Sequence, residues 1–528
     1  MSTERLGTVG SQVPVVDLFA GPGGLGEGFS ALEGNQFRIA ISIEMERTAH
    51  KTLLLRSFFR QFPKGCAPSE YYDYVRGDIP ITELQAAHPS EWEQATRESW
   101  QAELGAEDHA KVRARLDEAL GTARDTGEAV LIGGPPCQAY SLAGRSRMKS
   151  ARGADFESDR RHILYREYLK ILADHAPSAF VMENVKGLLS SKHGGKQIFR
   201  RILTDLHKPG TALHDYPPRN PSVEYELFPL GTSRQQSLGF FDAIPAESFV
   251  LRTEDLGLPQ ARHRVIIVGV RHDRANRARE VLLPLAGPTE RTPLSDVLQE
   301  LPQLRSGLSR STDSDCAWME AVQTSVAHIL SITQSFQQPI RDELRRVQAN
   351  LRTLYNGRGG RFVRTVERSP SYEPTWFVDS KIEGVLNHES KSHMPDDLTR
   401  YLFAAVFGQV ERRSPTLADF PPELLPKHNN VKRALSGSLF SDRFRVQLAD
   451  RPSTTITSHI SKDGHYYIHH DPCQCRSLTV REAARLQTFP DNYFFEGPRT
   501  AQYIQVGNAV PPLLARRIAS ALASALEL

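Results

Sequence analysis

The sequence is short of cysteine, nearly balanced in charge and without a long apolar run. Its 528 residues hold five cysteines: Cys66, Cys137, Cys316, Cys473 and Cys475. So few, odd in number and scattered, they argue against a disulfide framework and for a reducing compartment. Cys473 and Cys475 form a lone C-x-C with no second pair at metal spacing, so no metal site is expected. Lys and Arg total 65 against 62 Asp and Glu, a net charge of +3. Such a balance does not announce a nucleic-acid binder, and any binding charge must be local. No apolar run reaches transmembrane length, and the N-terminus lacks a basic-then-apolar signal pattern. The protein is therefore expected to stay in the cytoplasm.

What is present is a globular composition, 39% hydrophobic and 24% charged, on a chain long enough for two domains. Residues 13–19, VPVVDLF, read as a buried strand that enters a glycine-rich turn, AGPGGLGEGF, and a helix start. IAISI at 39–43 is a second strand and stops at Glu44. Tyr74 to Ile79 is read as a third short piece ending in Gly77-Asp78-Ile79. Residues 90–127 are polar and rich in alternating charge, as in a solvated helical insertion. AVLI at 129–132 is a strand running into Gly133-Gly134-Pro135-Pro136-Cys137. Helical spacing follows at 160–174, then strands at 179–182, ending at Glu183, and at 264–270. This alternation predicts an α/β fold with a mostly parallel sheet covered by helices. From about residue 303 the pattern turns irregular, with basic stretches RDELRRVQANLR and NGRGGRFVR. Residues 501–528 read as a turn with Gly507-Asn508 and Pro511-Pro512, then an Ala/Leu-rich helix.

A glycine-rich loop between strand and helix lets backbone N–H groups approach a polar ligand closely, but alone it is weak evidence. Glu44 at the next strand end suits ribose hydroxyls, and Asp78 suits an adenine amino group. Either acid singly is more often a solvated loop residue; their ordered recurrence points to one crevice at the carboxyl edge of the sheet. A lone cysteine is usually a small buried hydrophobe. Cys137, however, follows two stiffening prolines at a strand end, where a thiolate nucleophile could be held.

Gly133-Gly134-Pro135-Pro136-Cys137-Gln138-Ala139-Tyr140-Ser141 resembles the Pro-Cys-Gln nucleophile motif of bacterial DNA cytosine-5 methyltransferases of the restriction-modification type. The other motifs fall in that family's order. Asp17-Leu18-Phe19-Ala20-Gly21-Pro22-Gly23-Gly24 looks like its cofactor loop, and Glu44 and Asp78 match its ribose- and adenine-binding acids. Glu183-Asn184-Val185 resembles its Glu-Asn-Val, and Gln260-Ala261-Arg262-His263-Arg264 its Gln-x-Arg-x-Arg. Arg451-Pro452-Ser453-Thr454-Thr455-Ile456 and Gln505-Val506-Gly507-Asn508-Ala509-Val510 look like its late motifs. The matches span residues 13 to about 518, and it is their order and combination that is specific.

The resemblance implies an S-adenosylmethionine-dependent methyltransferase of Rossmann-like α/β fold with a smaller, irregular target-recognition domain. Its catalytic domain would be 1–302, recognition 303–495, and 496–528 would return to the catalytic domain. The sheet would end in an antiparallel hairpin strand. It implies methyl transfer to C5 of cytosine through thiolate addition of Cys137 at C6. Glu183 would hold N3 and the exocyclic amine, with burial favouring its protonated form. Arg262 would stabilise charge at O2 of the base, and Arg264 would orient it or bind nearby backbone. The cofactor would lie on Phe19, Ala20, Gly21, Gly23, Glu44, Met45, Asp78, Ile79, Pro136, Asn508, Ala509 and Val510. Gln138, Ser141 and Gln260 would meet the substrate. A base within duplex DNA cannot reach such a site, so base flipping is implied. The basic stretches of 303–450, Arg358 to Arg364 among them, would meet phosphates. Double-stranded DNA and a paired restriction endonuclease are the expected partners of a monomeric, nucleoid-associated enzyme.

Residues 80–128 and 208–250 look longer than this family's minimum. Three rivals are weighed. The same chemistry on tRNA fits poorly with so long a recognition region. A silent DNA-binding relative fits poorly with intact Cys137, Glu183 and Arg262. A nicotinamide-dependent dehydrogenase leaves Pro-Cys-Gln unexplained.

Overall fold

The computed structural model describes residues 12–136, 160–190, 192–193, 196–231, 244–333, 337–351, 356–366, 369–426 and 442–528. Cys137, Gln138 and Ser141 lie outside them, so the thiol and the two substrate contacts expected beside it stay with the sequence.

An eight-stranded sheet forms the frame. Its strands are β1 (Val13–Leu18), β2 (Phe37–Glu44), β3 (Ser99–Gln101), β4 (Val130–Gly133), β5 (Ala179–Val185), β6 (Tyr225–Pro229), β7 (Val250–Arg252) and β8 (His263–Arg271). The order is β3-β2-β1-β4-β5-β8-β6, with β7 pairing the start of β8. The first five strands are parallel, and β8 runs antiparallel to β5, β6 and β7. Strand order reverses between β1 and β4, so the loops after these two strands open side by side at the sheet's carboxyl edge. In an open α/β sheet this is where a ligand crevice forms.

Apolar layers cover both faces. One side carries α1 (Gly24–Ser30), with Leu25 and Phe29 against Val15, Ile39 and Val130. Ahead of the other cover lie α2 (Arg47–Arg60) and α3 (Ser69–Arg76). The opposite side carries α4 (His109–Leu120), α5 (Arg160–His175) and α6 (Ile198–His207). Val112, Leu116 and Leu120, spaced i, i+4, i+8, form the buried stripe of α4. Residues 90–127 are thus no solvated insertion: they carry the third strand and a core helix. Likewise 208–250 includes β6, an edge strand of the main sheet.

Residues 303–450 are also more regular than expected. They hold α7 (Asp315–Ile332), α8 (Gln338–Asn350), the hairpin β9 (Gly359–Arg364) with β10 (Gly384–Glu389), and α9 (Pro395–Glu411). α7, α8 and α9 share an apolar core of their own, with Trp318, Val326, Leu344 and Phe403 inside it. A further cluster joins Leu294 to Leu301 with Ile456, Leu478, Phe489 and Tyr503 and so runs across both expected domain boundaries. The late Gln-Val-Gly-Asn segment is helical, forming the end of α10 (Arg499–Asn508) rather than a turn. It leads to α11 (Pro512–Leu526), which lies on α1. That approach is very close: a Cβ on Gly28 would sit 2.4 Å from the Ala515 Cβ.

Candidate active site

The glycine loop is shaped by backbone that side chains disfavour. Phe19, Gly21 and Gly23 have φ of 57°, 58° and 100°, the left-handed region glycine enters freely. A Cβ on Gly21 would meet nothing within 4 Å, whereas one on Gly23 would sit 2.9 Å from Leu53 and the Tyr493 hydroxyl. Gly21 therefore faces open space and Gly23 faces protein. The Glu44 carboxylate fastens the loop, accepting the N–H groups of Gly21 at 2.8 Å and Glu46 at 2.7 Å. Burial raises its pKa, and those two N–H groups pull it back. Met45 beside it is 53% exposed, an unusual place for a large apolar side chain. Val510 abuts the loop from the chain's far end, its carbonyl 2.2 Å from where a Gly24 Cβ would stand. Asn508 is exposed and Ala509 buried. Loop, Glu44, Met45 and 508–510 thus form one neighbourhood.

Asp78 and Ile79 lie outside it. Ser69–Arg76 is a helix ended by Gly77 at φ 95°, so no strand precedes them. Tyr71, Tyr72, Tyr74 and Val75 are its buried face; their apolar run imitates a strand. Asp78 is exposed and pairs with Arg76 at 3.0 Å, while Ile79 is half-buried against the apolar cluster of α2 and α3. The third strand is Ser99–Gln101, whose Gln101 pairs with Glu44. Ala102 N–H donates to the Glu44 carbonyl at 3.2 Å, which puts half-buried Glu103 just beyond the strand end. No apolar run marks this strand in the sequence.

The second crevice wall comes from β4 and β5. The described chain after β4 stops at Pro136, which is exposed, while Pro135 is buried. The Asn184 amide donates to the Pro135 carbonyl at 3.3 Å, and a Cβ on Gly134 would sit 2.8 Å from Glu183 Oε2. The Gly-Pro-Pro segment therefore lies directly against Glu183 and Asn184. From β8, Arg264 Nε lies 2.8 Å from Glu183 Oε1, both side chains about seven-eighths buried. The contact is an ion pair rather than an in-line hydrogen bond. Burial lowers the Arg264 pKa and Glu183 raises it again.

Two expectations change here. Arg262 lies within electrostatic reach of Glu183 and Arg264 but is committed to backbone. Its guanidinium is fully buried and donates to the carbonyls of Ile456 (2.7 Å), Gly507 (3.2 Å) and Ala509 (2.8 Å). Gln260 is equally committed. It donates to the Leu486 carbonyl (3.1 Å) and Gln487 Oε1 (2.9 Å) and accepts the Ile456 N–H (2.6 Å). Gln260–Ala261 also pairs with Ser453–Thr454. The Gln-x-Arg and Arg-Pro-Ser motifs thus clasp one another and fix the 507–509 backbone, leaving Arg264 as the arginine at the acid.

The expected phosphate-facing arginines are also largely committed. Arg361 donates to the carbonyls of Tyr74 (2.7 Å) and Val75 (3.1 Å) and lies over the Tyr74 and Phe494 rings. Arg358 pairs with Asp313 at 3.1 Å and Arg364 with Glu383 at 2.9 Å. Among the described residues no group of His, Cys, Asp and Glu could hold a metal ion, and no helix is long and apolar enough to cross a membrane.

Comparison with known proteins identifies the family. The sequence model of the family described as C-5 cytosine-specific DNA methylase matches residues 84–216 and 237–524. The type II methyltransferase M.Bpa9945I of Bacillus paralicheniformis is 32% identical over 526 residues, covering 96% of this chain and 98% of its own. The DNA (cytosine-5-)-methyltransferase M.ApeKI of Aeropyrum pernix is 27% identical, covering 75% and 81%. The solved structure of a prophage-encoded DNA modification methyltransferase from E. coli superposes with a TM-score of 0.50 at 15% identity, covering 98% of this chain and 100% of its own; that likeness concerns the fold. With a family match over most of its length and a relative similar from end to end, this chain belongs to the C-5 cytosine-specific DNA methylases and is an enzyme of the DNA (cytosine-5-)-methyltransferase class.

Proposed function

We propose that the protein transfers a methyl group from S-adenosylmethionine to C5 of a cytosine flipped out of a specific duplex sequence, through a covalent bond between Cys137 and C6. The observation that carries this reading is the Arg264–Glu183 pair set against the Gly134–Pro136 segment, one residue ahead of the thiol.

The residues present fit the cofactor. Gly21 opens onto free space, Glu44 keeps acceptor capacity on both oxygens for ribose hydroxyls, and Met45 offers an exposed apolar surface to a purine. We assign the adenine amino group to Glu103, at the end of β3, in place of Asp78, because Glu103 follows the third strand of the sheet. When bound, the cofactor supplies an electrophilic methyl group on a sulfonium. The chain's own residues do the rest. The Cys137 thiolate adds to C6, breaking the ring's aromaticity and making C5 enamine-like. Glu183 holds N3 and the exocyclic amine, and Arg264 keeps the acid in place and faces O2. C5 takes the methyl group, loses its proton to solvent, and the thiolate leaves C6. Arg262 and Gln260 act at one remove, as positioning residues for the 507–509 backbone.

The region 303–450 is proposed to read the target sequence, with a restriction endonuclease of the same specificity as functional partner, as type II relatives suggest by name. The decisive experiment uses duplex DNA carrying 5-fluorocytosine. That base cannot lose its C5 substituent, so a denaturation-resistant adduct should form with cofactor present. Cys137→Ala should give none; an equal adduct in that variant overturns the reading. Tritiated cofactor offered with tRNA instead of DNA should leave the RNA unlabelled.

A further inference from the structure

Beneath the glycine loop lies a row of buried polar groups without partners. Asp17 is fully buried, and neither carboxylate oxygen receives a hydrogen bond meeting ordinary geometry among the described residues. Parallel register sets Asp17 of β1 beside Ser42 of β2, and Ser42 beside Ser99 of β3. Residues so paired leave the sheet on one side. The hydroxyls of Ser42 and Ser99 are likewise buried and unpartnered, as are Nε and Nη1 of Arg60. A buried polar group without a hydrogen bond is costly, and four in one neighbourhood need a reason.

The charges around the row explain why Asp17 is the odd member. From α1, Glu27 takes Arg56, whose Nε lies 2.8 Å away, and stands 3.6 Å from Arg60 Nη1. Ahead of β3, Glu98 takes Arg60 Nη2 at 2.6 Å. From β2, Glu44 is bonded to Gly21 and Glu46, and His50 reaches the Ser99 carbonyl at 3.2 Å. Both arginines are spoken for by other acids, and Asp17 has no cation of its own.

Building on the cofactor reading above, we propose that Asp17 is a proton switch for cofactor binding: positive charge brought to the Phe19–Gly23 loop by S-adenosylmethionine makes the Asp17 carboxyl ionise, and its O–H proton passes to solvent. The energetics agree. Burial pushes the Asp17 pKa up to about 7, Arg60 and the nearby Gly26 N–H lower it in part, and Glu44 raises it. The carboxyl is therefore poised at neutral pH, and a cation arriving above it favours the charged form. Binding that releases a proton strengthens as pH rises and levels off above the pKa of the free protein.

Titration calorimetry of the full chain with S-adenosylmethionine, in two buffers of different ionisation enthalpy, counts the proton. Close to one proton should be released at about pH 6, and affinity should rise up to roughly tenfold per pH unit, flattening above about 7.5. Asp17→Asn should bind with no release and no such slope, while Glu44→Gln, though weaker, should keep both. An infrared difference spectrum of the unaltered protein should show a protonated carboxyl band lost on binding, which serves if Asp17→Asn does not fold. Binding without proton release, release that survives in Asp17→Asn, or no carboxyl band lost each overturns the switch. No binding at any pH overturns the cofactor reading itself, so the two failures are told apart.

Discussion

Arg264 Nε and Glu183 Oε1 lie 2.8 Å apart, joining β8 to β5 where the sheet turns antiparallel. The pair lies beside the Gly-Pro-Pro segment that leads to Cys137. Removing the arginine would leave an uncompensated acid in a half-closed crevice. Arg264→Ala is expected to cut turnover by about a hundred- to a thousandfold with cofactor affinity nearly unchanged. Gly134→Ala should act on the same acid from the other side, since its Cβ would stand 2.8 Å from Glu183 Oε2. A misplacement of that size should cost on the order of a hundredfold in kcat, with little change in melting temperature. Steady-state kinetics with hemimethylated duplex, beside calorimetry of the cofactor, checks both. Wild-type turnover in either variant would mean the pair is not at the reacting base.

Arg262 should behave in the opposite way. Its three carbonyl bonds hold Ile456, Gly507 and Ala509 in place. Arg262→Met would orphan the carbonyls of Ile456 and Gly507 and leave that of Ala509 only the 3.4 Å bond from Gln487, at a cost of about 3 kcal/mol or more in urea unfolding. Arg262→Lys should recover little of it, because a single ammonium cannot reproduce the planar fork. A stable but inactive Arg262→Met protein would return this arginine to the chemistry.

The cofactor's adenine end distinguishes Glu103 from Asp78. Glu103→Ala should weaken cofactor binding about tenfold, near 1.4 kcal/mol. Asp78→Ala, a change at an exposed helix end, should leave it within about twofold. Equilibrium binding of both variants settles the matter, and the reverse ranking would restore Asp78.

A pH-sensitive joint lies behind the sheet. His109 of α4 has both ring nitrogens on carboxylates of α5, Glu167 at 3.0 Å and Asp174 at 2.9 Å. Lys170, Arg113 and Tyr216 surround them. Two acceptors require the doubly protonated ring. Burial lowers the His109 pKa, but the bonds to Asp174 and Glu167 outweigh it and carry the pKa above the ordinary 6.5. The stabilisation is therefore complete below about pH 6.5 and fades as pH climbs through the raised value. Asp174 is held down at about 2 despite burial, chiefly by His109 and Tyr216, so its share persists until strong acid. Denaturant titrations between about pH 7.5 and about 9, above the range where buried Asp17 titrates, should show stability declining with pH, and His109→Gln should lessen that decline. An unchanged slope in the variant would place the titrating group elsewhere.

Sequence reading was strongest where chemistry and backbone shape coincide. The glycine loop, Glu44, Glu183 and Arg264 stand out because each needs its own residue type at a strand end. It was weakest where a strand is short or an element borrows another's pattern. Ser99–Gln101 has three residues and no apolar run, so the main sheet's third strand was missed. Tyr74 to Ile79 reads as the third strand, but Tyr74 and Val75 belong to the buried face of α3, which draws Asp78 to the wrong place. Arg262 and Arg264 look equivalent on paper. Only the partner segments, Ile456 and 507–509, nearly two hundred residues or more away, separate a clasp from a group at the acid. The arginines of 358–364 were read as free charge, yet Arg361 is turned onto the carbonyls of α3.

The tight seating of α11 on α1, with Gly28 beneath Ala515, bears on how the enzyme comes into being. The loop at Phe19–Gly23 is among the first parts of this sequence to be translated, and its buttress at Val510–Ala515 among the last. At about 5–20 residues per second, the ribosome separates the two by roughly half a minute or more. Throughout that interval the Gly24–Gly28 side of α1 lacks its neighbour, while Leu25 and Phe29 face the sheet. The close neighbourhood of Gly24 and Gly28 with Val510 and Ala515 is therefore completed only once α11 has been made.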